Sequence, residues 1–126
     1  MASRLFGRDL ISALDLTRGS MEQLFDLADR LRREIGERGV LSYAQGKILA
    51  TVFLEPSTRT RLSFQFAMVK LGGAVIDFGP EQAASIAKGE SFEDTIRMID
   101  GYHPDLIVVR LREPGSARRA AEIAHA

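Results

Sequence analysis

The spacing of apolar residues in the first forty positions predicts one long helix. From Ser20 onward, apolar side chains recur at helical intervals: Met21, Leu24, Phe25, Ala28, Leu31 and Ile35. Ser20 is suited to the N-cap position, with Gln23 as its capping-box partner, and Gly36 and Gly39 fall where such a helix ends. A shorter helix is predicted near residues 8–14.

From residue 47 onward, short apolar runs alternate with helical patterns. The predicted strands cover residues 47–53, 74–78 and 106–109, and the first is apolar enough to be buried on both faces. The helices that follow them are predicted to begin at Ser57, Ser91 and Ser116. This alternation predicts an α/β fold, in which helices cover both faces of a parallel sheet.

Helical spacing also identifies the side chains expected to face the core. After Ser57 they are Leu62, Phe66, Met68 and Val69, and after Ser91 they are Phe92, Ile96 and Ile99. Residues 81–90 are expected to form a loop. All prolines, at positions 56, 80, 104 and 114, lie between predicted elements, which agrees with these boundaries because proline interrupts helices and central strands.

Composition narrows the classes of function. A length of 126 residues fits one domain, and 17 basic side chains balance 17 acidic ones, which argues against a nucleic-acid binder. The absence of Cys removes disulfides and thiolate metal ligands. No apolar run is long enough to cross a bilayer, and residues 1–9 lack the apolar core of a signal peptide. We therefore expect a cytoplasmic protein that does not bind membranes.

Ligands of parallel α/β folds bind beyond the carboxyl ends of the strands. In this chain three segments follow predicted strand ends, namely residues 55–60, 79–90 and 110–115. We expect the chemistry of the protein to lie in these segments.

The first segment opens a helix directly after a buried strand, and a helix N-terminus attracts phosphate through free N–H groups and a partial positive charge. Ser57, Thr58 and Thr60 add hydroxyl donors, and Arg59 and Arg61 add guanidinium groups that suit phosphate. Alternatively, Ser57 only caps the helix and both arginines are solvated. Because positions 59 and 61 lie about 200° apart around a helix, we assign Arg59 to the ligand and Arg61 to a structural ion pair.

Two further cations follow strand ends. Lys88, near Ser85, could supply a positive charge to a phosphate or carboxylate, although a surface Lys before a turn glycine explains the same residues. Arg110 ends the third strand and must leave the core, either toward a ligand or into solvent.

Metal and cofactor sites find no support in the sequence. His103 and His125 are separated along the chain and lack a neighbouring carboxylate cluster. Neither Gly-x-Gly-x-x-Gly nor Gly-Lys-Ser/Thr occurs, so dinucleotide and ordinary nucleotide sites are not indicated. We predict that the protein uses no metal and no cofactor.

The segment Phe-Leu-Glu-Pro-Ser-Thr-Arg-Thr-Arg-Leu-Ser-Phe at 53–64 resembles the signature of the aspartate and ornithine carbamoyltransferases. Leu71-Gly-Gly73 also stands where that family has it. Lys88-Gly-Glu90, followed by Asp94-Thr-Ile-Arg97, is similar to the aspartate branch. The resemblance extends from about Asp9 to the end of the chain and corresponds to the family's N-terminal, carbamoyl-phosphate-binding domain. The aspartate-binding domain is expected to be absent from residues 1–126.

The resemblance implies a reaction of pyrimidine biosynthesis, in which the amine of L-aspartate attacks carbamoyl phosphate to give N-carbamoyl-L-aspartate and phosphate. By resemblance, carbamoyl phosphate is bound by Ser57, Thr58, Arg59, Thr60, Ser85, Lys88 and Arg110. Arg59, Thr60, Arg110 and Lys88 are then the catalytic residues, and Arg61 and Glu90 are structural.

The resemblance also implies an assembly. Lys88 would lie on a loop that reaches the active site of a neighbouring subunit, in a homotrimer with shared sites. A regulatory or dihydroorotase partner is possible in this family. Without an aspartate-binding domain, this chain alone is expected to be inactive.

Two other interpretations remain open at the level of sequence. The chain could be a stand-alone module that binds carbamoyl phosphate or assembles a trimer without turnover. It could also belong to the ornithine branch of the family.

Overall fold

The computed structural model describes residues 5–79, 81–82, 84 and 89–126. The chain divides into two compact units, Met1–Gly39 and Val40–Ala126. The first contains the helix α1 (Arg18–Arg38). The second contains, in chain order, β1 (Ile48–Phe53), α2 (Thr58–Lys70), β2 (Ala74–Phe78), α3 (Phe92–Asp100), β3 (Leu106–Arg110) and α4 (Ser116–Ile123).

Helix α1 begins earlier than the sequence pattern predicted. Thr17, not Ser20, is the N-cap, because its hydroxyl accepts from the Ser20 N–H at 3.1 Å while its own N–H donates to the Ser20 hydroxyl at 2.8 Å. This reciprocal pair is a capping box that places Ser20 inside the first turn. Gly39 ends the helix, as predicted. In place of the helix predicted near residues 8–14, the structure has only one 3₁₀ turn, Ala13–Asp15.

The predicted α/β fold is confirmed. The three strands form a parallel sheet in the order β2-β1-β3. Val52 lies opposite Phe78, and Phe53 lies opposite Arg110, so the carboxyl ends of all three strands meet at one edge. β1 is the central strand, and every residue from Leu49 to Phe53 is buried.

Helices cover both faces of this sheet. Ala50 and Val52 contact a cluster on α3 and α4 that comprises Ile96, Ile99 and Ala120. Thr51 points to the opposite face, because successive strand residues alternate, and there it accepts a hydrogen bond from Gln65 of α2. Helix α2 therefore lies on one face of the sheet, and α3 and α4 lie on the other.

The core contacts predicted for α2 are wrong at three of four positions. Met68 is buried, but Leu62, Phe66 and Val69 are 40%, 61% and 48% exposed. The stripe that faces the sheet is Arg61, Gln65 and Met68, because the sheet presents polar partners at Thr51 and Asp77. The helix thus turns a largely polar stripe inward and an apolar stripe outward.

The glycine pair after α2 is required by close packing. Gly72 has φ +89°, and a Cβ atom there would collide with the backbone oxygen of Leu41. The same segment is held by Leu41 N, which donates to Lys70 O at 2.7 Å, and by Ala44 N, which donates to Leu71 O at 2.8 Å. A side chain at position 72 would therefore have to displace backbone.

Helix α3 begins as predicted, since the Ser91 hydroxyl accepts from the Asp94 N–H. In the segment predicted as a loop, Glu81, Gln82 and Ala84 are helical instead.

At the amino edge of the sheet, where the strands begin, two carboxylates each contact two groups. Asp105 accepts from the Ile48 N–H at 2.9 Å and from Lys47 Nζ at 3.2 Å, and the Ile48 hydrogen bond contributes most to lowering its pKa. Asp100, at the end of α3, accepts from the backbone N–H of His125 at 2.7 Å and lies 2.8 Å from His125 Nδ1. The side-chain hydrogen bond with His125 is the main cause that lowers the pKa of Asp100. These contacts join β1 to β3 and α3 to the residues after α4.

Candidate phosphate-binding site

The N-terminus of α2 lies at the carboxyl edge of the sheet, and four residues separate it from the end of β1. Ser57 is the N-cap, but its backbone (φ −158°, ψ 73°) does not bring its hydroxyl into a capping hydrogen bond. Ser57 therefore occupies the N-cap position without using its hydroxyl as a cap. Ser57, Thr58 and Thr60 supply hydroxyls at the start of α2, and the first turn contains no acidic residue. Such a turn favours an anion.

Arg110 joins the end of β3 to this turn. Its Nη1 donates to Thr60 Oγ1 at 3.4 Å, and its Nε lies 3.6 Å from Glu55 Oε2. The backbone oxygen of Arg110 accepts from the Leu54 N–H at 3.0 Å, which fixes the start of the side chain. Both side-chain contacts are long, so the guanidinium retains donors that can turn toward a ligand.

Arg59 is an exposed cation of the site. Within the part of the chain that the structure describes, no residue forms an ion pair or hydrogen bond with its guanidinium. Its backbone oxygen accepts from the Ser63 hydroxyl at 2.7 Å, so its place on the helix is fixed while its side chain is not.

Arg61 lies on the sheet side of α2. Its Nε is 3.9 Å from Asp77 Oδ1, and a Cβ atom at Gly79 would be only 2.9 Å from its Nη1. The structure thus separates the two arginines of the motif, one toward solvent and one toward β2, as the helical angle led us to expect. Their division into ligand and structural roles stays a prediction.

The other predicted site residues are not brought together here. Ser85 and Lys88 lie outside the described residues. Glu90 is exposed and has no ion pair with any described residue. Among residues 5–79, 81–82, 84 and 89–126, no group of three or more acidic or His side chains could hold a metal ion. None of the described helices combines the length and apolar character needed to cross a membrane.

Four residues near the site were missed by sequence reasoning. Glu55 precedes the proline of the motif and pairs with Arg110. Thr51, Gln65 and Asp77 form hydrogen bonds to one another beneath α2. For Thr51 and Asp77, the signal that could have found them is a polar residue inside an otherwise apolar strand, β1 and β2 respectively.

Comparison with known proteins identifies the family. Residues 8–126 match the model of the aspartate/ornithine carbamoyltransferase carbamoyl-P binding domain. The chain belongs to this family.

Similar relatives are named aspartate carbamoyltransferase catalytic subunit. The relative from Thermofilum pendens is 55% identical over 119 residues, which are 94% of this chain and 37% of the relative. The relative from Thermococcus gammatolerans is 52% identical over 118 residues, or 94% of this chain and 38% of the relative. The chain thus spans less than two fifths of the length of these relatives.

Solved structures of aspartate transcarbamoylases also superpose on this chain. The catalytic subunit of M. jannaschii aspartate transcarbamoylase superposes with a TM-score of 0.85 at 46% identity, covering 93% of this chain and 38% of that one. Aspartate transcarbamoylase from Trypanosoma cruzi in complex with carbamoyl phosphate superposes with a TM-score of 0.89 at 37% identity, covering 98% and 38%.

Proposed function

We propose that this chain is the carbamoyl-phosphate-binding part of an aspartate carbamoyltransferase, acting in pyrimidine biosynthesis in the cytoplasm. The observation that carries the proposal is the first turn of α2, which carries the hydroxyls of Ser57, Thr58 and Thr60 with no acidic residue and which Arg110 reaches through Thr60. The relatives named above, about half identical to the chain, favour the aspartate branch over the ornithine branch.

The chemistry follows from the positions of these groups. The hydroxyls of Ser57, Thr58 and Thr60 and the N–H groups of α2 hold the phosphate of carbamoyl phosphate. The amine of L-aspartate attacks the carbonyl carbon and loses a proton. The bond from that carbon to the bridging oxygen then breaks, and phosphate is released. Arg59 neutralises the charge that builds on that oxygen, and Arg110 with Thr60 polarises the carbonyl. Positioning and preorganised donors thus supply the catalysis.

Recognition of L-aspartate is assigned to no residue of this chain. We place it in the part of the relatives that the chain does not span, so turnover requires that part. Ser85 and Lys88 complete the phosphate site from a neighbouring subunit, and Glu90 is a structural residue of the same segment.

A homotrimer with shared sites is part of the proposal. What supports assembly is the apolar stripe of α2, formed by Leu62, Phe66 and Val69, because soluble proteins rarely leave such a stripe exposed. We expect Phe66→Glu to shift the chain toward monomer in light scattering. Tyr102→Glu is the matched control, because Tyr102 is 81% exposed and lies outside the stripe. Equal oligomeric states of Phe66→Glu and wild type would contradict this use of the stripe.

Calorimetry of the chain with carbamoyl phosphate tests the phosphate site. We expect binding of carbamoyl phosphate, and little gain in affinity from a phosphonate analogue that also carries an aspartate moiety. A gain of about a hundredfold would show that the chain recognises aspartate by itself. Binding that is absent from wild type, or unchanged by Arg59→Ala, would overturn the phosphate site.

Mixing variants tests whether sites are shared. Chains with Lys88→Ala and chains with Arg59→Ala each lack one half of every site. In mixed assemblies, an intact Arg59 meets an intact Lys88 of a neighbour, so carbamoyl phosphate binding should partly recover. Mixed trimers that bind no more tightly than the separate variants would exclude the shared arrangement.

A further inference from the structure

One carboxylate oxygen joins β1, β2 and α2 beneath the phosphate site. Asp77 Oδ1, in the edge strand β2, accepts from Thr51 Oγ1 at 2.9 Å and from Gln65 Nε2 at 2.9 Å. Gln65 Nε2 also donates to Thr51 Oγ1 at 3.0 Å. Thr51 is fully buried at the centre of the sheet. The side chain of Asp77 is therefore held in one position by two separate elements.

Arg61 depends on the charge of that carboxylate. Its Nε is buried and has no hydrogen-bond acceptor among the described residues, and it lies 3.9 Å from Asp77 Oδ1. The oxygen already accepts two hydrogen bonds, and 3.9 Å is too long for a third from Arg61 Nε, so the contact between Asp77 and Arg61 is a charge attraction. The side chains of Arg61 and Asp77 are 27% and 39% exposed, so a guanidinium that lost this counter-charge would be free to move toward solvent. A Cβ atom at position 79 would lie 2.9 Å from Nη1, so Gly79 leaves space for the end of the Arg61 side chain.

The position of Arg61 is coupled to the first turn of α2. The Arg61 N–H donates to Ser57 O at 3.0 Å, which closes that turn around Thr58, Arg59 and Thr60. Movement of Arg61 toward solvent would rotate or fray the turn that presents the proposed phosphate donors. A shift of about 1 Å in such donors can cost roughly a hundredfold in rate or binding.

We propose that Asp77, fixed by Thr51 and Gln65, is a positioning residue that sets the first turn of α2 for phosphate binding through its charge on Arg61. The inference rests on the proposed function for its consequence in binding. The displacement of the turn itself can be observed without any ligand.

The test compares two isosteric variants of the 126-residue chain. Asp77→Asn retains an amide oxygen that can accept from Thr51 and Gln65, so it removes chiefly the charge. Asp105→Asn is the matched control, because Asp105 also accepts two hydrogen bonds and joins two strands, but at the opposite edge of the sheet. Both variants are expected to lower the melting temperature.

Two readouts separate positioning from stability. In amide NMR spectra without ligand, the resonances of Thr58, Arg59 and Thr60 should shift in Asp77→Asn and stay in place in Asp105→Asn. In calorimetry with inorganic phosphate, Asp77→Asn should bind roughly tenfold more weakly or worse, and Asp105→Asn within about twofold of wild type. Asp77→Glu, which restores the charge, should recover part of the lost affinity.

The outcomes distinguish the inference from the proposed function. If wild type binds phosphate and Asp77→Asn binds equally well with unshifted resonances, the positioning role is wrong and the phosphate site stands. If wild type fails to bind phosphate, the proposed function is wrong, and the resonances alone decide whether Asp77 positions the turn. Should Asp77→Asn fail to fold, Arg61→Gln removes the charge through which Asp77 acts, and unshifted resonances of Thr58, Arg59 and Thr60 in that variant would overturn the inference.

Discussion

Polar and charged side chains lie at both edges of the sheet, but they satisfy one another at the amino edge and do so only partly at the carboxyl edge. At the amino edge, Asp105 and Asp100 each accept two short contacts, and both carboxyl pKa values are lowered by them. At the carboxyl edge, Ser57 makes no capping hydrogen bond, and Arg110 reaches Thr60 and Glu55 only at 3.4 and 3.6 Å.

The difference teaches where stability and binding are separated in this fold. Polar groups that satisfy one another stabilise the molecule but have nothing left for a ligand. Groups held in place and left partly unsatisfied cost stability and bind well. Substitutions at the carboxyl edge should therefore change mainly affinity, and substitutions at the amino edge should change mainly stability.

The largest effect is expected from Arg59→Ala. Its guanidinium has no ion-pair partner among the described residues, so its removal should abolish measurable carbamoyl phosphate binding and leave the free energy of unfolding within about 0.5 kcal/mol. Arg61→Ala should chiefly destabilise the fold, with a smaller loss of affinity because Arg61 also holds the first turn of α2 in place. Calorimetry and thermal unfolding of both variants check this division. If both variants fold normally and lose the same affinity, the division of roles between Arg59 and Arg61 is wrong.

A smaller loss is expected from Arg110→Gln. The change removes the charge and the contact with Glu55, and we expect carbamoyl phosphate affinity to fall about tenfold, as for a charge-assisted hydrogen bond. The ion pair with Glu55 is partly solvated, so the melting temperature should change little. Arg112→Gln, in the exposed loop that follows, is the control, and an equal loss there would indicate a general effect of charge.

Acid should affect the amino edge first. The folded-state pKa values of Asp100 and Asp105 lie below the ordinary value of 3.8, so the unfolded chain binds more protons in acid. Their contribution to stability is complete above that ordinary value and is lost as pH falls through the lowered values. In the double variant Asp100→Asn/Asp105→Asn, the melting temperature should therefore fall less steeply with decreasing pH, below about pH 4, than it does in wild type. A slope in the double variant equal to that of wild type would contradict this account.

The smallest effect on melting temperature is expected from Lys47→Met. Lys47 and Asp105 form a solvent-exposed ion pair, and such pairs add little to stability. Asp105 keeps its hydrogen bond from the Ile48 N–H, so the melting temperature should fall less than in Asp105→Asn. Carbamoyl phosphate affinity should not change, and a clear loss of affinity would mean that the two edges are coupled.

Local patterns in the sequence were sufficient for most of the fold. Apolar runs predicted all three strands within a residue, because a strand buried on both faces must be apolar nearly throughout. Ser91 was found as an N-cap because its hydroxyl bonds within its own turn. Thr17 was missed as the cap of α1 because Ser20 offered an equally good local signal three residues later.

The sequence by itself determined the alternation of strands and helices, the edge where their carboxyl ends meet, and the motif 57–61 at that edge. Tertiary structure decided which face of α2 is buried, since only the sheet supplies Thr51 and Asp77 as partners for Gln65 and Arg61. It also brought Arg110 to Thr60 across 50 residues of chain. Spacing along the chain encodes local structure, whereas a contact between distant polar residues depends on strand order and register.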